Sequence, residues 1–371
     1  MKIIIIGAFP ESLLKFRGNL IRELSASGND VIAVSGRTTQ DVRDQIKNLN
    51  AQHKEIFVSR TSLNPFHDIA TFISIINLFI KEKPKIVISY TSKPIIWSGI
   101  AKIFFPNIRL ISLVTGLGFF FEGKNIFRKI IRSIMKTLYK ISLKQSEKVI
   151  FQNNENKKVF IQSNIVNEDK CFIINGSGVD TNYYNYEKPR NSFSSINFLM
   201  IARLLKDKGV VEFLKAAEIT HNSFKEASFT IVGGEDSSPN RVNKKVLEKY
   251  KKLKFIKFEG HVKEVRKYLI DSDVFVLPSY HEGMSRSLQE AMAIGRPLIT
   301  TNIPGCKETV KDKLNGFLVE KKSYKQLANK MMWFCQNKHV VEQMGKKSRE
   351  LCEKDFDVRK INKQLIKLIL K

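Results

Sequence analysis

Twice along this chain, short β-branched runs alternate with longer segments of helical period, and that rhythm leaves few folds open. In the first half the runs are IIII (3–6), DVIAV (30–34), KIVIS (85–89), RLISL (109–113), KVIFQ (147–151) and CFII (171–174), with helical stretches such as 13–27 and 93–105 between them. Near-continuous apolar strands separated by helices are the signature of a parallel sheet buried on both faces. The rhythm pauses at the polar stretch 186–195 and restarts with INFLMI (196–201), SFTIVG (228–233), KFIKFEG (254–260), DVFVLP (273–278), PLIT (297–300) and GFLVE (316–320). The fold class is therefore α/β, with two Rossmann-like doubly wound sheets. We expect the domains at 1–188 and 189–355, with the helix at 356–371, apolar along one stripe, packing back on the first. Such sheets bind ligands outside the carboxyl ends of their strands, so chemistry is expected in a cleft between the two domains.

A chain of 371 residues exceeds one ordinary core, which agrees with two domains. Its 63 Lys+Arg against 36 Asp+Glu give a net charge of +27. That excess points to an anionic partner, the alternative being a lysine-rich solvated surface. Cys171, Cys306, Cys335 and Cys352 are scattered, with no zinc or disulfide spacing, and suit a reducing cytoplasm. The N-terminal MKIIIIGAFP has too short an apolar run for a signal peptide, and no segment has the length and apolarity to span a bilayer. The stretch 71–81 comes nearest and fits a core-facing or interfacial helix.

The chemistry is expected in the second half. In HEGMSRSLQEAMAIG (281–295), Glu282 lies in a strand-to-helix loop and Glu290 lies eight positions on, inside the helix. The amides of Gly283, Met284 and Ser285 open that helix and form an anion site with the helix dipole behind it. Carboxylates repel phosphate, so each glutamate is better matched to hydroxyl groups on either side of it. Hydroxyls, then phosphates, then hydroxyls describe a nucleoside diphosphate sugar. The alternative is a helix whose acidic start merely suits its dipole, with Glu290 facing solvent. A second element favours the ligand: in INFLMIARLLKDKG (196–209) a strand delivers Arg203 and Lys208 to its carboxyl end, where a guanidinium fork and an ammonium clamp a diphosphate.

With these residues in place the sequence resembles the retaining glycosyltransferases of the GT-B fold, family 4. Glu282 and Glu290 match the family's E-x7-E motif, Arg203 and Lys208 its basic loop, and IVGGE (231–235) and FEGHV (258–262) its glycine turn and base-binding turn. The resemblance implies that Arg203 and Lys208 hold the donor diphosphate, Glu282 the sugar hydroxyls, Glu290 the ribose, and the backbone at His261 and Val262 the base. It narrows to bacterial enzymes that add N-acetylgalactosamine or related sugars to undecaprenyl-diphosphate-linked glycans, on SRTSLNPF (59–66), TGLGFFFEG (115–123) and IARLLKDKGVVEF (201–213). It implies a UDP-sugar donor, a lipid-linked acceptor and work at the inner face of the cytoplasmic membrane. Many family members have a histidine beside the donor sugar; here that neighbourhood holds Thr115.

In the first half, Gly7 closes the first strand and permits close approach to phosphate, although G-x-G-x-x-G is absent, which argues against a nicotinamide enzyme. Arg17, read as lying in the following loop, and Lys93 and Thr115, after later strands, are the acceptor-binding candidates. Phe119, Phe120 and Phe121 are candidates for the acceptor's entrance. Residues 127–144 set Ile130, Ile131, Ile134, Leu138 and Ile141 against Arg128, Lys129, Arg132, Lys136, Lys140 and Lys144. Such a helix either lies on an anionic membrane or packs on the sheet with a solvated basic face.

Departure of a sugar from its diphosphate builds charge on the bridging oxygen, which Arg203, Lys208 and the helix amides would stabilise without a cofactor or divalent metal. The acidic DSD (271–273) resembles a metal-binding D-x-D, yet its place before a buried strand suits capping or exposure. Nucleic acid is the rival partner for +27, but the basic residues are spread over both halves and no nucleic-acid-binding motif occurs.

Overall fold

The computed structural model describes residues 1–59, 64–116, 126–189, 195–236 and 238–371. It divides into two compact units, Met1–Ser177 with Arg359–Lys371, and Gly178–Val358. The division precedes the polar stretch at 186–195 because residues 179–184 already belong to the second unit: Val179 and Tyr184 are buried in its core, and Val179 exchanges backbone hydrogen bonds with Phe356 and Val358.

The first unit is built on seven parallel strands in the order β3-β2-β1-β4-β5-β6-β7. They are β1 (Lys2–Ile6), β2 (Asp30–Ser35), β3 (Gln52–Glu55), β4 (Ile86–Tyr90), β5 (Arg109–Val114), β6 (Lys148–Phe151) and β7 (Cys171–Ile173). Its helices are α1 (Pro10–Ala26), α2 (Gln40–Lys47), α3 (Pro65–Glu82), α4 (Ser92–Lys102), α5 (Ile126–Lys144) and α6 (Asn154–Gln162). The four isoleucines of β1 are wholly buried and alternate between two cores, Ile3 and Ile5 facing α1, Ile4 and Ile6 facing α3. An uninterrupted apolar run is the consequence of covering both faces. Proline at the first helical position of α1 and α3 removes an N–H that a helix start leaves unpaired, and Asn64 caps α3 by accepting from the Phe66 amide. Where α4 meets α5, a Cβ on Gly99 would come within 2.0 Å of the Ser142 hydroxyl, so only glycine permits that approach.

The second unit has six parallel strands in the order β10-β9-β8-β11-β12-β13. They are β8 (Asn197–Ile201), β9 (Ser228–Val232), β10 (Ile256–Phe258), β11 (Val274–Leu277), β12 (Leu298–Thr301) and β13 (Gly316–Val319). Around them pack α7 (Val210–Ser223), α8 (Lys244–Lys251), α9 (Arg266–Ile270), α10 (Arg286–Ile294), α11 (Tyr324–Gln336) and α12 (Val341–Asp355). The final helix, α13 (Val358–Leu370), buries Ile361, Leu365 and Ile369 in the first unit's core with α1, and Asn362 donates to Glu23 at 2.7 Å.

Both sheets reverse strand order once, between β1 and β4 and between β8 and β11. These are the points where loops at the carboxyl edge diverge and open a crevice. At the first of them, two expectations change. Gly7 is buried against Tyr90: a Cβ there would lie 2.2 Å from the tyrosine hydroxyl, so its missing side chain makes room for a ring. Arg17 lies in α1 and is only 2% exposed, its guanidinium 5.2 Å from the centre of the Tyr90 ring, while Tyr90 bonds Ser12 at 2.8 Å. Burial lowers the Arg17 pKa, with the neighbouring phenol acting in the opposite direction.

Two buried arginines show what that costs. Arg296 donates to the carbonyls of Leu269, Ile270, Glu187 and Gly295 at 2.8–3.2 Å. The Arg17 Nε finds no partner among the described residues. A buried N–H without a partner is costly, and an apolar side chain of similar volume removes the penalty. Arg17→Met should therefore raise stability by about 1 kcal/mol or more, measured by urea denaturation; a loss of stability would show the cation to be a net support of the fold.

Candidate active site

The crevice between β8 and β11 holds the chain's clearest cluster of charged groups. The loop after β8 places Lys208 so that its Nζ lies 2.6 Å from Glu282 Oε1, on the loop after β11. The side chains are 21% and 14% exposed respectively, so the pair sits mostly out of water. Burial alone would lower the lysine pKa, but the charge and hydrogen bond of Glu282 outweigh it and the net shift is upward. The ammonium is therefore fully charged at neutral pH.

Close backbone packing holds these loops together. The Tyr280 amide donates to the Asp207 carbonyl at 2.7 Å, and the Ser279 hydroxyl reaches the same oxygen at 3.2 Å. Gly209 has φ +73°, and a Cβ there would meet the Pro278 carbonyl oxygen at 2.0 Å. On the other side, Gly305 has φ +84° and a Cβ would fall 2.6–2.8 Å from the backbone and Cβ of Glu282. Glu308 accepts from the Gly305 amide at 2.8 Å, which fixes the turn. Neither Gly305 nor Glu308 stood out in the sequence, because the contact with Glu282 joins segments that only the sheet brings together. Cys306 lies beside the pair, and its buried thiol is pushed up in pKa by desolvation and by the charge of Glu282.

Helix α10 begins at Arg286, with Ser285 as its cap accepting from the Leu288 amide at 3.4 Å. Of the amides of Gly283, Met284 and Ser285, expected to form an anion site, that of Ser285 is committed elsewhere: it donates to Gly305 O at 2.9 Å. The helix dipole still opens towards Glu282, but the first-turn amides are those of Arg286 and Ser287. Glu290 is one turn in and is held by Arg286 Nε at 3.1 Å and by the Tyr184 hydroxyl. Burial and this carboxylate both raise the Tyr184 pKa. Arg286 also donates to the Gly178 carbonyl. Glu290 thus occupies a built polar niche.

Arg203 reaches a different acid, donating through Nη1 to Asp236 at 2.8 Å and remaining half exposed. Asp236 is held below the usual carboxylate range, first by the Ser238 amide, with Arg203 contributing. A cavity of about 250 Å³ opens beside Asp236, lined by Leu204, Arg241, Lys244 and Leu247. The glycine turn connects this edge to the turn at 258–262: Gly233 donates to Gly260 at 2.8 Å, Leu204 to Gly234 at 3.1 Å, and a Cβ on Gly234 would touch His261. Val262 packs partly on the core nearby. Arg203, Lys208, Glu282, Glu290 and the 260–262 turn therefore share the carboxyl edge of one sheet, where Lys208 and Glu282 are in direct contact.

The first-unit candidates are less uniform. Lys93 pairs with Asp68 at 2.9 Å, and Thr115 follows β5, half-buried. Phe119, Phe120 and Phe121 lie outside the described residues. Asp273 of DSD is buried and accepts the Asn197 amide at 2.8 Å, so it ties β8 to β11.

Two family descriptions match the chain: "Glycosyl transferases group 1" over residues 187–351 and "Glycosyl transferase 4-like" over residues 11–153. An N,N'-diacetylbacillosaminyl-diphospho-undecaprenol alpha-1,3-N-acetylgalactosaminyltransferase of Campylobacter jejuni is 27% identical over 344 residues, 89% of this chain and 88% of its own. A UDP-Gal:alpha-D-GlcNAc-diphosphoundecaprenol alpha-1,3-galactosyltransferase of Escherichia coli is 30% identical over 79% of this chain and 77% of its own. The fold is shared with Anabaena HepE, solved in complex with UDP, at a TM-score of 0.78 over 99% of both chains and 15% identity.

Removing one member of the buried pair strands the other. Lys208→Ala should cost about 2 kcal/mol, and the double variant Lys208→Met/Glu282→Gln should recover most of that loss, both read by urea denaturation. Equal stabilities for the single and double variants would show that the pair is not coupled. Gly305→Ala, forced into left-handed backbone against Glu282, should lose about 2 kcal/mol in the same measurement.

Proposed function

The chain belongs to the group 1, family 4-like glycosyltransferases, and from that premise we propose that it moves a sugar from a UDP-sugar to a lipid-linked oligosaccharide. The observation that carries the site assignment is the Lys208–Glu282 pair across the strand-order reversal. Each charge satisfies the other. A nucleoside diphosphate sugar brings what both require, phosphate oxygens for the ammonium and hydroxyl donors for the carboxylate, and so replaces the pair at both ends. Arg203 supplies a second cation to the diphosphate, Glu290 accepts from the ribose hydroxyls, and the backbone at His261 and Val262 meets the base.

The two lipid-linked relatives motivate the acceptor, an undecaprenyl-diphosphate glycan of bacterial surface polysaccharide or glycoprotein synthesis. The first of them motivates N-acetylgalactosamine as the sugar. A different UDP-hexose or a GDP-sugar is the competing donor. A lipid-linked acceptor confines the reaction to the cytoplasmic face of the membrane, and the first unit is the proposed acceptor domain.

As the glycosidic bond breaks, charge grows on the departing phosphate oxygen. Lys208, Arg203 and the start of α10 oppose that charge from fixed positions, which is worth more than solvent because it needs no reorganisation. We propose that no divalent ion is required; Asp273, the conspicuous acid of DSD, is committed to the Asn197 amide. Retention of configuration follows from front-face attack, with a donor phosphate oxygen taking the acceptor proton.

The test is turnover of membrane-extracted lipid-linked acceptors with a panel of UDP-sugars. UDP-N-acetylgalactosamine should be used, an excess of EDTA should leave the rate unchanged, and Lys208→Met/Glu282→Gln should lose about 100-fold or more in kcat/KM. Wild-type turnover by that double variant would refute the site.

A further inference from the structure

The most conspicuous surface of the first unit is apolar. Helix α3 is covered inside by Thr71, Ile75, Leu78 and Phe79, yet its outside is also apolar: Phe66, Ile69, Ile73 and Ile80 are all more than half exposed, Phe66 at 77%. Their spacing of three, four and seven places them on one stripe about 60° wide. A helix apolar on both sides is a core helix or meets something apolar.

The stripe does not stand alone. Right-handed crossovers from β3 to β4, β4 to β5 and β5 to β6 put α3, α4 and α5 side by side on one face of the sheet. Phe104, just beyond α4 and 66% exposed, packs against Phe72 of α3 at 6.4 Å between ring centres. On α5, Tyr139 and Leu143 are buried, whereas Ile130, Ile134 and Ile141 are exposed along a second stripe. This divides the stripe of the basic helix: Leu138 packs partly on the core and Ile131 is half-buried, whereas Ile130, Ile134 and Ile141 face outward.

Charge decides what fits there. Residues 126–144 contain no acid, and Lys129 and Lys140 are exposed beside the isoleucines. Lys81 and Lys83 are exposed at the end of α3. The acids of α3 are neutralised: Asp68 pairs with Lys93, and buried Glu82 with Lys2 and Lys54. Apolar stripes rimmed by cations match a bilayer with anionic headgroups, where the isoleucines and phenylalanines enter the acyl boundary and the lysines stay with phosphate. A second copy would bring the same cations face to face. Among the described residues no helix is long and apolar enough to cross a membrane, so the contact is lateral.

We propose that the outer layer formed by α3, the end of α4 and α5 is a membrane-docking face for anionic lipid, with the α3 stripe as its apolar insertion element. This rests on the lipid-linked acceptor in that it explains how the enzyme meets such a substrate, but docking needs neither donor nor acceptor.

The test is co-sedimentation of the full chain with phosphatidylcholine vesicles, with and without phosphatidylglycerol. The wild type should pellet with the anionic vesicles. Ile69→Ser/Ile73→Ser/Ile80→Ser, at exposed positions, should reduce partition about tenfold or more. Lys129→Glu/Lys140→Glu should abolish the preference for phosphatidylglycerol. Both variants should keep the thermal shift produced by UDP. Wild-type partition by the isoleucine variant, or indifference of the wild type to anionic vesicles, would overturn the proposal. So would a vesicle-free dimer that the isoleucine variant dissociates without changed partition, since the face would then belong to a second copy. A chain that docks on vesicles yet transfers no sugar would leave this inference standing and remove the proposed function alone.

Discussion

An ammonium and a carboxylate 2.6 Å apart, mostly withdrawn from water, are an expensive thing to place at a sheet edge. Well-packed apolar groups would serve stability at least as well, so under the proposed function the Lys208–Glu282 pair acts as stored binding capacity. Its surroundings follow from that constraint. Gly209 lets the β8 loop lie against Pro278, Gly305 lets the following turn lie against Glu282, and the amide of Ser285 is spent on joining the two. Each removes freedom from the charged groups before any ligand arrives, which is how a site limits the entropy lost on binding.

The same economy separates the two units. In the second, charges are paired within the crevice: Arg203 with Asp236, Lys208 with Glu282, Arg286 with Glu290. In the first, the excess of positive charge lies outside, on helices whose outward faces are also apolar. A donor that carries its own phosphates calls for the former, and a substrate anchored in a lipid surface calls for the latter. The net charge of +27 is thus better explained by a surface than by the crevice.

The architecture was legible because burial on both faces writes itself as uninterrupted apolar runs. Among the described residues every strand was read except β3, whose residues Gln52–Glu55 are polar and lie at the sheet's edge, where pairing with β2 defines them. The E-x7-E spacing and the basic loop located the crevice, since loop positions after strands are set by local sequence. What could not be read were contacts across long separations. Tyr90 fills the space at Gly7, Gly305 takes the Ser285 amide, and Arg17, though within the helical stretch 13–27, is buried over the Tyr90 ring rather than offered from a loop. The isoleucines of α5 were visible as a stripe, but a stripe has no sign: only the position of Tyr139 and Leu143 shows which side is inward.

The most direct measurement is a crystal structure of the chain with UDP-N-acetylgalactosamine and no acceptor. The account predicts a diphosphate oxygen within hydrogen-bond reach of Lys208 Nζ, Glu282 turned from the lysine to the sugar hydroxyls, and the ribose at Glu290. A nucleotide bound elsewhere while the lysine and glutamate remain locked together would contradict it.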